Sequence, residues 1–257
     1  MKKKIVASLV IMLIFISSIA DMNRNQCIAN PENTDANEQE IELNYEDDIT
    51  MIDLMNHQGG WQETTEELEV TKSEEIIDLE HALKQTEPIQ SYRPGTVTSY
   101  SNWGAALAAY IVERISKETF VDYVHQHIFQ PLKMEHTSIG SDHTDTSWVA
   151  LQRNQLKSYS LENDTLECIG KQMGYILIYP AGAATGTLED FVVFAKSLSS
   201  VDGTSPLFQK KETLLEMRKA TSYYGDLIPR NCHGMWTLQY GVDVYGHSIT
   251  FILIFVL

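Results

Sequence analysis

Apolar residues recur at helical spacing most clearly between Leu107 and Ile115. Leu107, Tyr110, Ile111 and Ile115 form one stripe, and Ala105, Ala106, Ala108 and Ala109 fill the positions around it. Alanine is the strongest helix former, and an i, i+3, i+4 stripe marks a helix with one buried face. The pattern predicts a helix from Trp103 to Lys117 with Asn102 as N-cap. A second helix is expected from Thr119 to Gln130, stopped by Pro131. Upstream, Ile52, Leu54 and Met55 start a short helical turn that ends at Gly59-Gly60. Ile76, Ile77, Leu79 and Leu83 give Glu74 to Lys84 an amphipathic helical pattern, closed by Pro88. Downstream, Tyr175 to Tyr179 reads as a buried strand and Pro180 to Gly186 as a small-residue loop. Thr187-Leu188-Glu189-Asp190 has the pattern of a capping box and opens a helix to about Leu198. Trp236 to Tyr245 alternates as a strand leading into a turn at Gly246. Ser248 to Leu257 is almost wholly apolar, is too short to span a bilayer, and reads as a buried strand.

The first residues carry a different signal. Lys2-Lys3-Lys4 is a positive n-region, Ile5 to Ile19 an apolar run, and Ser18-Ile19-Ala20 a small-residue cleavage site. Residues 1–20 are therefore expected to be a signal peptide that directs export to the cell envelope or medium, with an uncleaved N-terminal anchor as the alternative. Any membrane association is expected only through that segment, because a spanning helix needs about 20 apolar residues. Residues 21–48 are polar and acidic and read as a flexible leader. The folded domain is expected over residues 49–257. Its last apolar run has no polar tail, and a strand without a successor leaves an aggregation-prone edge, so the domain is expected to be incomplete.

Charge narrows the partners. The chain has 19 Lys and Arg against 35 Asp and Glu, a net charge of -16. That balance excludes a nucleic-acid partner, which needs clustered cations, and accords with a soluble monomer. Cys27, Cys168 and Cys232 have neither the spacing of a disulfide framework nor that of a zinc site, and are expected to be unpaired thiols. His125, His127, His136 and His143 do not suggest a metal centre, because helix residues two apart face different ways. No nucleotide-binding loop, dinucleotide fingerprint or Gly-x-Ser-x-Gly elbow occurs, and no cofactor is expected.

The segment Arg93-Pro94-Gly95-Thr96-Val97-Thr98-Ser99-Tyr100-Ser101-Asn102-Trp103-Gly104 places a phenol and a carboxamide at the start of the predicted helix. A serine acyl-transfer enzyme needs such a corner. The Ser-x-x-Lys that would supply its nucleophile occurs nowhere in the 257 residues. Five segments in order resemble the serine beta-lactamase and penicillin-binding-protein family, in its class C and esterase-like branch: Ile49 to Gly60, Tyr92 to Gly104, Phe129 to Thr137, Pro180 to Asp190, and Tyr245-Gly246-His247-Ser248. The second carries Tyr-x-Asn. The last resembles the third motif in its Gly-His-Ser-Gly form, with Ile249 where glycine is usual.

The resemblance implies an α+β fold of the beta-lactamase/transpeptidase type: a helical lobe and part of an antiparallel sheet, lacking elements at both ends. It implies acyl transfer on beta-lactam, D-amino-acid peptide or ester substrates in intact relatives. Tyr100 would be the proton shuttle, Asn102 would orient the substrate amide, and His247 would supply the polar group of the third motif. Ser101 and Ser248 would line the substrate. Without the nucleophile this chain is expected to be inactive. The alternative is a non-catalytic cell-envelope protein that uses the cleft to bind a peptidoglycan-like ligand.

Overall fold

The computed structural model describes residues 4–6, 45–62, 68–162, 165–170, 174–225, 228–239, 243–247 and 253–256. Apart from Lys4–Val6, the predicted signal peptide lies outside the described residues, as do Cys27, Ser248 and most of the acidic leader.

The helices are α1 (Met51–Met55), α2 (Leu79–Gln85), α3 (Asn102–Ser116), α4 (Phe120–Val124), α5 (Gln130–Leu132), α6 (Ser147–Arg153), α7 (Leu188–Leu198) and α8 (Lys211–Met217). The strands are β1 (Lys4–Val6), β2 (Glu69–Val70), β3 (Ser158–Glu162), β4 (Thr165–Gly170), β5 (Tyr175–Ile176), β6 (Thr185–Thr187), β7 (Ser222–Tyr224), β8 (Ile228–Cys232), β9 (Met235–Gln239), β10 (Asp243–His247) and β11 (Leu253–Val256). A five-stranded antiparallel sheet runs β11-β10-β9-β8-β7. Three two-stranded pairs accompany it: β1 with β6, β2 with β5, and β3 with β4. Trp61, Trp103, Ala106, Ala109, Phe120, Phe129, Phe194, Leu214, Met217 and Met235 belong to one buried cluster, so helices and sheet share a core.

The alanine-rich stripe forms α3 as predicted, but one residue earlier. Ser101, not Asn102, is the N-cap: its hydroxyl accepts from the Gly104 amide at 2.9 Å, and Asn102 is the first helical residue. This leaves the Asn102 carboxamide outside the cap. Ser101→Ala should cost about 1 kcal/mol, read as a lower urea midpoint with an unchanged slope.

Other predicted boundaries move for identifiable reasons. The helix predicted over Glu74 to Lys84 begins at Leu79, where the Asp78 carboxylate accepts from the His81 amide. Before it lie the 3-10 turn Ser73–Glu75 and the non-helical residues 76–78. Pro131 does not stop the next helix. The chain widens from α4 into a π turn over His125–Phe129 and continues into α5, which contains Pro131. Proline has no amide hydrogen and its ring crowds the carbonyl four residues back. A wider turn relieves that clash.

The strand predicted from Tyr175 to Tyr179 ends at Ile176, because Tyr179–Ala181 winds into a 3-10 turn at Pro180. Thr187 caps α7 by accepting from the Asp190 amide, but the box stays half closed. The Asp190 carboxylate instead accepts from the His136 amide and the Thr137 hydroxyl, both at 2.8 Å, and clips α7 to the segment after α5. Gly246 is not a turn. It lies inside β10, paired with Trp236 of β9 and Ile254 of β11, and Trp236 to Tyr245 divides into two strands. The apolar tail does supply a strand, β11.

Cys168 is exposed and Cys232 buried, both as free thiols. Burial pushes the Cys232 thiol up to about 12, which keeps it protonated and unreactive at neutral pH.

Candidate active site

The Tyr100 corner is built by the chain that follows α1. Thr50 and Asp53 close a capping box that starts this short helix. It ends at Asn56, after which His57 takes a left-handed backbone with φ of 54°. That bend presents both polar ends of His57 to the segment before α3. Its carbonyl accepts from the Ser99 amide at 2.8 Å. Its ring Nδ1 accepts from the Ser101 amide at 3.2 Å. An N–H donor facing Nδ1 requires that nitrogen to be unprotonated, which places the ring proton on Nε2.

The same imidazole stacks on Tyr100, with ring centroids 4.2 Å apart and planes at 28°. Tyr100 and Asn102 then stand together, the phenol donating to Asn102 Oδ1 at 3.4 Å. Ser101 is buried between them with its hydroxyl engaged in the α3 cap.

Further bonds zip the two segments together. The Gly60 carbonyl accepts from the Ser91 and Tyr92 amides, the Gln58 carbonyl from Gly95, and the Trp61 carbonyl from the Ser99 hydroxyl. Gly60 needs to be glycine: its φ is 91°, and a Cβ there would lie 1.9 Å from the Tyr92 carbonyl oxygen. Trp61 and Trp103 are packing residues beneath the corner. Their rings are 4.8 Å apart, and Trp103 Nε1 donates to the Leu83 carbonyl.

The sheet approaches from the other lobe. Trp236 lies 6.3 Å from His57 with the rings nearly parallel. Its partner across the ladder is Gly246, so the β10 backbone runs beside the residue that faces the corner. His247 follows Gly246 at the end of β10, in register with Leu253. β7 and β8 are tied in as well. The Thr221 hydroxyl is 2.8 Å from Asn56 Oδ1, and Arg230 Nη1 donates to Thr98 Oγ1 at 2.5 Å. The fold therefore brings His57, on which Tyr100 stacks, to β9, the neighbour of the strand that carries His247.

His57, Trp236 and Arg230 are the residues that sequence reasoning missed here. His57 lies in the Ile49 to Gly60 segment, and a histidine between a helix end and two glycines was the available signal. Nothing local marks Trp236 or Arg230.

A second constellation looks catalytic by composition but not by geometry. The Asp145 carboxylate accepts from His125 Nε2 at 2.8 Å, from the Ser138 hydroxyl at 2.5 Å, and from the Ile139 and Gly140 amides. Aspartate stands in the middle, so the histidine has no contact through which to take the serine proton. Burial pushes this carboxyl upward, but the hydrogen bonds from His125, Ser138 and Ile139 outweigh it and hold it below the usual range. His127 instead approaches Glu118 at 3.6 Å, so the paired histidines of the π turn serve different partners. Burial lowers His143, which contacts the Ser141 carbonyl and the Thr185 hydroxyl.

A family model described as Beta-lactamase matches residues 40–250. No curated protein matches the sequence significantly. Among solved structures, D-amino acid amidase from Ochrobactrum anthropi SV3, complexed with D-phenylalanine, is 21% identical with a TM-score of 0.56; the match covers 77% of this chain and 57% of that one. A D-stereospecific amidohydrolase from Streptomyces sp. is 21% identical with a TM-score of 0.59, covering 80% and 63%. The octameric penicillin-binding protein homologue from Pyrococcus abyssi is 17% identical with a TM-score of 0.53, covering 77% and 46%. The chain thus spans less than two thirds of each of these structures, and at such identities the likeness is one of fold.

Proposed function

The chain belongs to the beta-lactamase family, and from that membership we propose that it is an exported cleft protein that recognises acyl compounds without acylating itself. Its ligands would be beta-lactam, D-amino-acid peptide or ester molecules, including peptidoglycan-like peptides. One observation carries the reading: His57 bonds the Ser101 amide and stacks on Tyr100, so the Tyr100–Asn102 corner is braced by contacts within the chain. A corner so braced loses little entropy when a ligand docks.

In this reading Asn102 orients the substrate amide and Tyr100 offers a phenol at the scissile bond. His247, at the end of β10, and Ser248, the residue after it, would line the substrate, and Ser101 supports the corner from behind. Acyl transfer further requires a nucleophile that attacks the carbonyl and a base that takes its proton. The 257 residues hold no Ser-x-x-Lys to supply that pair. Ile249, where the family motif has glycine, would also crowd a substrate backbone near the strand. Residues 1–20 would direct export to the envelope or medium.

The test is benzylpenicillin added to the purified full chain. The expected result is a melting temperature that rises with the logarithm of ligand concentration above Kd, a stabilisation of about 2.7 kcal/mol at one hundred times Kd, with the intact mass unchanged. A penicilloyl adduct on any serine would overturn the non-acylating part. No stabilisation by this ligand or by a D-alanyl peptide would overturn the recognition part.

A further inference from the structure

We propose that Trp236 is a gate over the Tyr100 corner: its indole covers His57 in one rotamer, swings across Gly246 in another, and admits a ligand only in the second. The inference rests on the cleft reading above and names how that cleft is regulated.

The indole sits where its polar atom is not satisfied. Its Nε1 is buried and has no hydrogen-bond acceptor among the described residues. Such a donor has given up its bond to water and received none in return, so an arrangement that returns it to water is favoured by that bond. Two other tryptophans show the difference. Trp103 donates to the Leu83 carbonyl at 2.9 Å. Trp61 also lacks an acceptor, but it is 1% exposed and pinned against Gly59 and Trp103: a Cβ at Gly59 would lie 2.0 Å from its ring. Trp236 is only half-buried. What it covers is His57, which is 2% exposed and nearly parallel to it, at 16°.

The sheet leaves the indole one direction in which to turn. Residues opposite one another on neighbouring strands share a face. On the β8 side Trp236 meets Asn231, a buried residue whose Oδ1 accepts from the Ser222 hydroxyl at 2.6 Å. That side chain is fixed. On the β10 side Trp236 meets Gly246, which has no side chain. A step of χ1 between staggered wells toward Gly246 carries the indole off His57 and returns Nε1 to water. His57 itself stays, held by the Ser101 amide and the Tyr100 ring. The gate thus moves against a rigid corner. Apparent affinity then equals intrinsic affinity multiplied by the open fraction.

The experiment has two arms, both on the full chain. In the first, exchange of the indole N–H protons into deuterium oxide is followed by NMR. Trp61 and Trp236 are assigned through their ring neighbours, Trp103 and His57. Both protons are buried, so only an opening releases them. Trp236 should exchange about tenfold faster than Trp61 or more, and faster still with saturating benzylpenicillin. In the second arm, affinity for benzylpenicillin is read by NMR titration. Trp236→Ala removes the gate and should bind about tenfold more tightly than the wild type. Trp236→Phe keeps a ring beside His57 without the unsatisfied donor, and should bind about threefold more weakly. Equal exchange of the two indoles, or unchanged or weaker binding by Trp236→Ala, overturns the gate and leaves the cleft reading standing. Fast exchange at Trp236 with binding by none of the three proteins overturns the cleft reading, and the gating role with it. The wild-type exchange rates decide the matter even where a variant folds poorly.

Discussion

Mixed with nitrocefin or a p-nitrophenyl ester, the purified chain should hydrolyse neither above the buffer rate, and Tyr100→Phe should leave that background unchanged. Removing the nucleophile of a serine hydrolase lowers turnover by about a millionfold, and no serine here has a lysine three residues on. The nearest substitute by composition, Ser138, donates to the Asp145 carboxylate, whose pKa is held below the usual range by its hydrogen bonds and which is therefore a poor base for that hydroxyl. Steady-state absorbance at high enzyme concentration is the measurement. Turnover that disappears in Tyr100→Phe would mean that some other group in this chain attacks the carbonyl, and the non-acylating reading would fall.

Asp145→Ala should destabilise the protein by about 3–5 kcal/mol, the range for stripping one partner from a buried charged cluster. The carboxylate is 8% exposed and accepts from His125, Ser138, Ile139 and Gly140. Its loss leaves those donors without an acceptor. The site should be felt in the pH profile as well. Asp145 is depressed in the folded state against its burial, chiefly by the bonds from His125 and Ser138. A depressed carboxyl contributes stability that is present above its unfolded pKa of about 3.9 and is lost as pH falls through the lower folded value. Urea midpoints from pH 7 to pH 3 should therefore fall more steeply below about pH 4 in the wild type than in Asp145→Asn. A loss under about 1 kcal/mol in Asp145→Ala, or equal acid slopes, would show that the cluster is not a structural pivot.

Particular residues show how far local pattern reaches. The alanine stripe was enough for α3, because propensity and burial act within one helix and point the same way. The choice between Ser101 and Asn102 as its cap was not legible: both are good caps one residue apart. The bond from the Ser101 amide to His57, across 44 residues, helps to set which hydroxyl or carboxamide turns inward. Gly246 read as a turn because glycine often is one; inside a sheet it answers to the strands on either side. Asp190 had the spacing to close a capping box, but the His136 amide and Thr137 hydroxyl took its carboxylate.

Family, fold class and the absence of a Ser-x-x-Lys from these 257 residues follow from the order of residues alone, since motif spacing and helical period are properties of neighbours along the chain. The bracing of Tyr100 by His57, the approach of Trp236, the bond from Arg230 to Thr98 and the Asp145 cluster were decided only by the folded chain. Each joins segments separated in sequence, and hydrogen bonds and ring contacts act over a few ångströms of space, whatever the number of residues between.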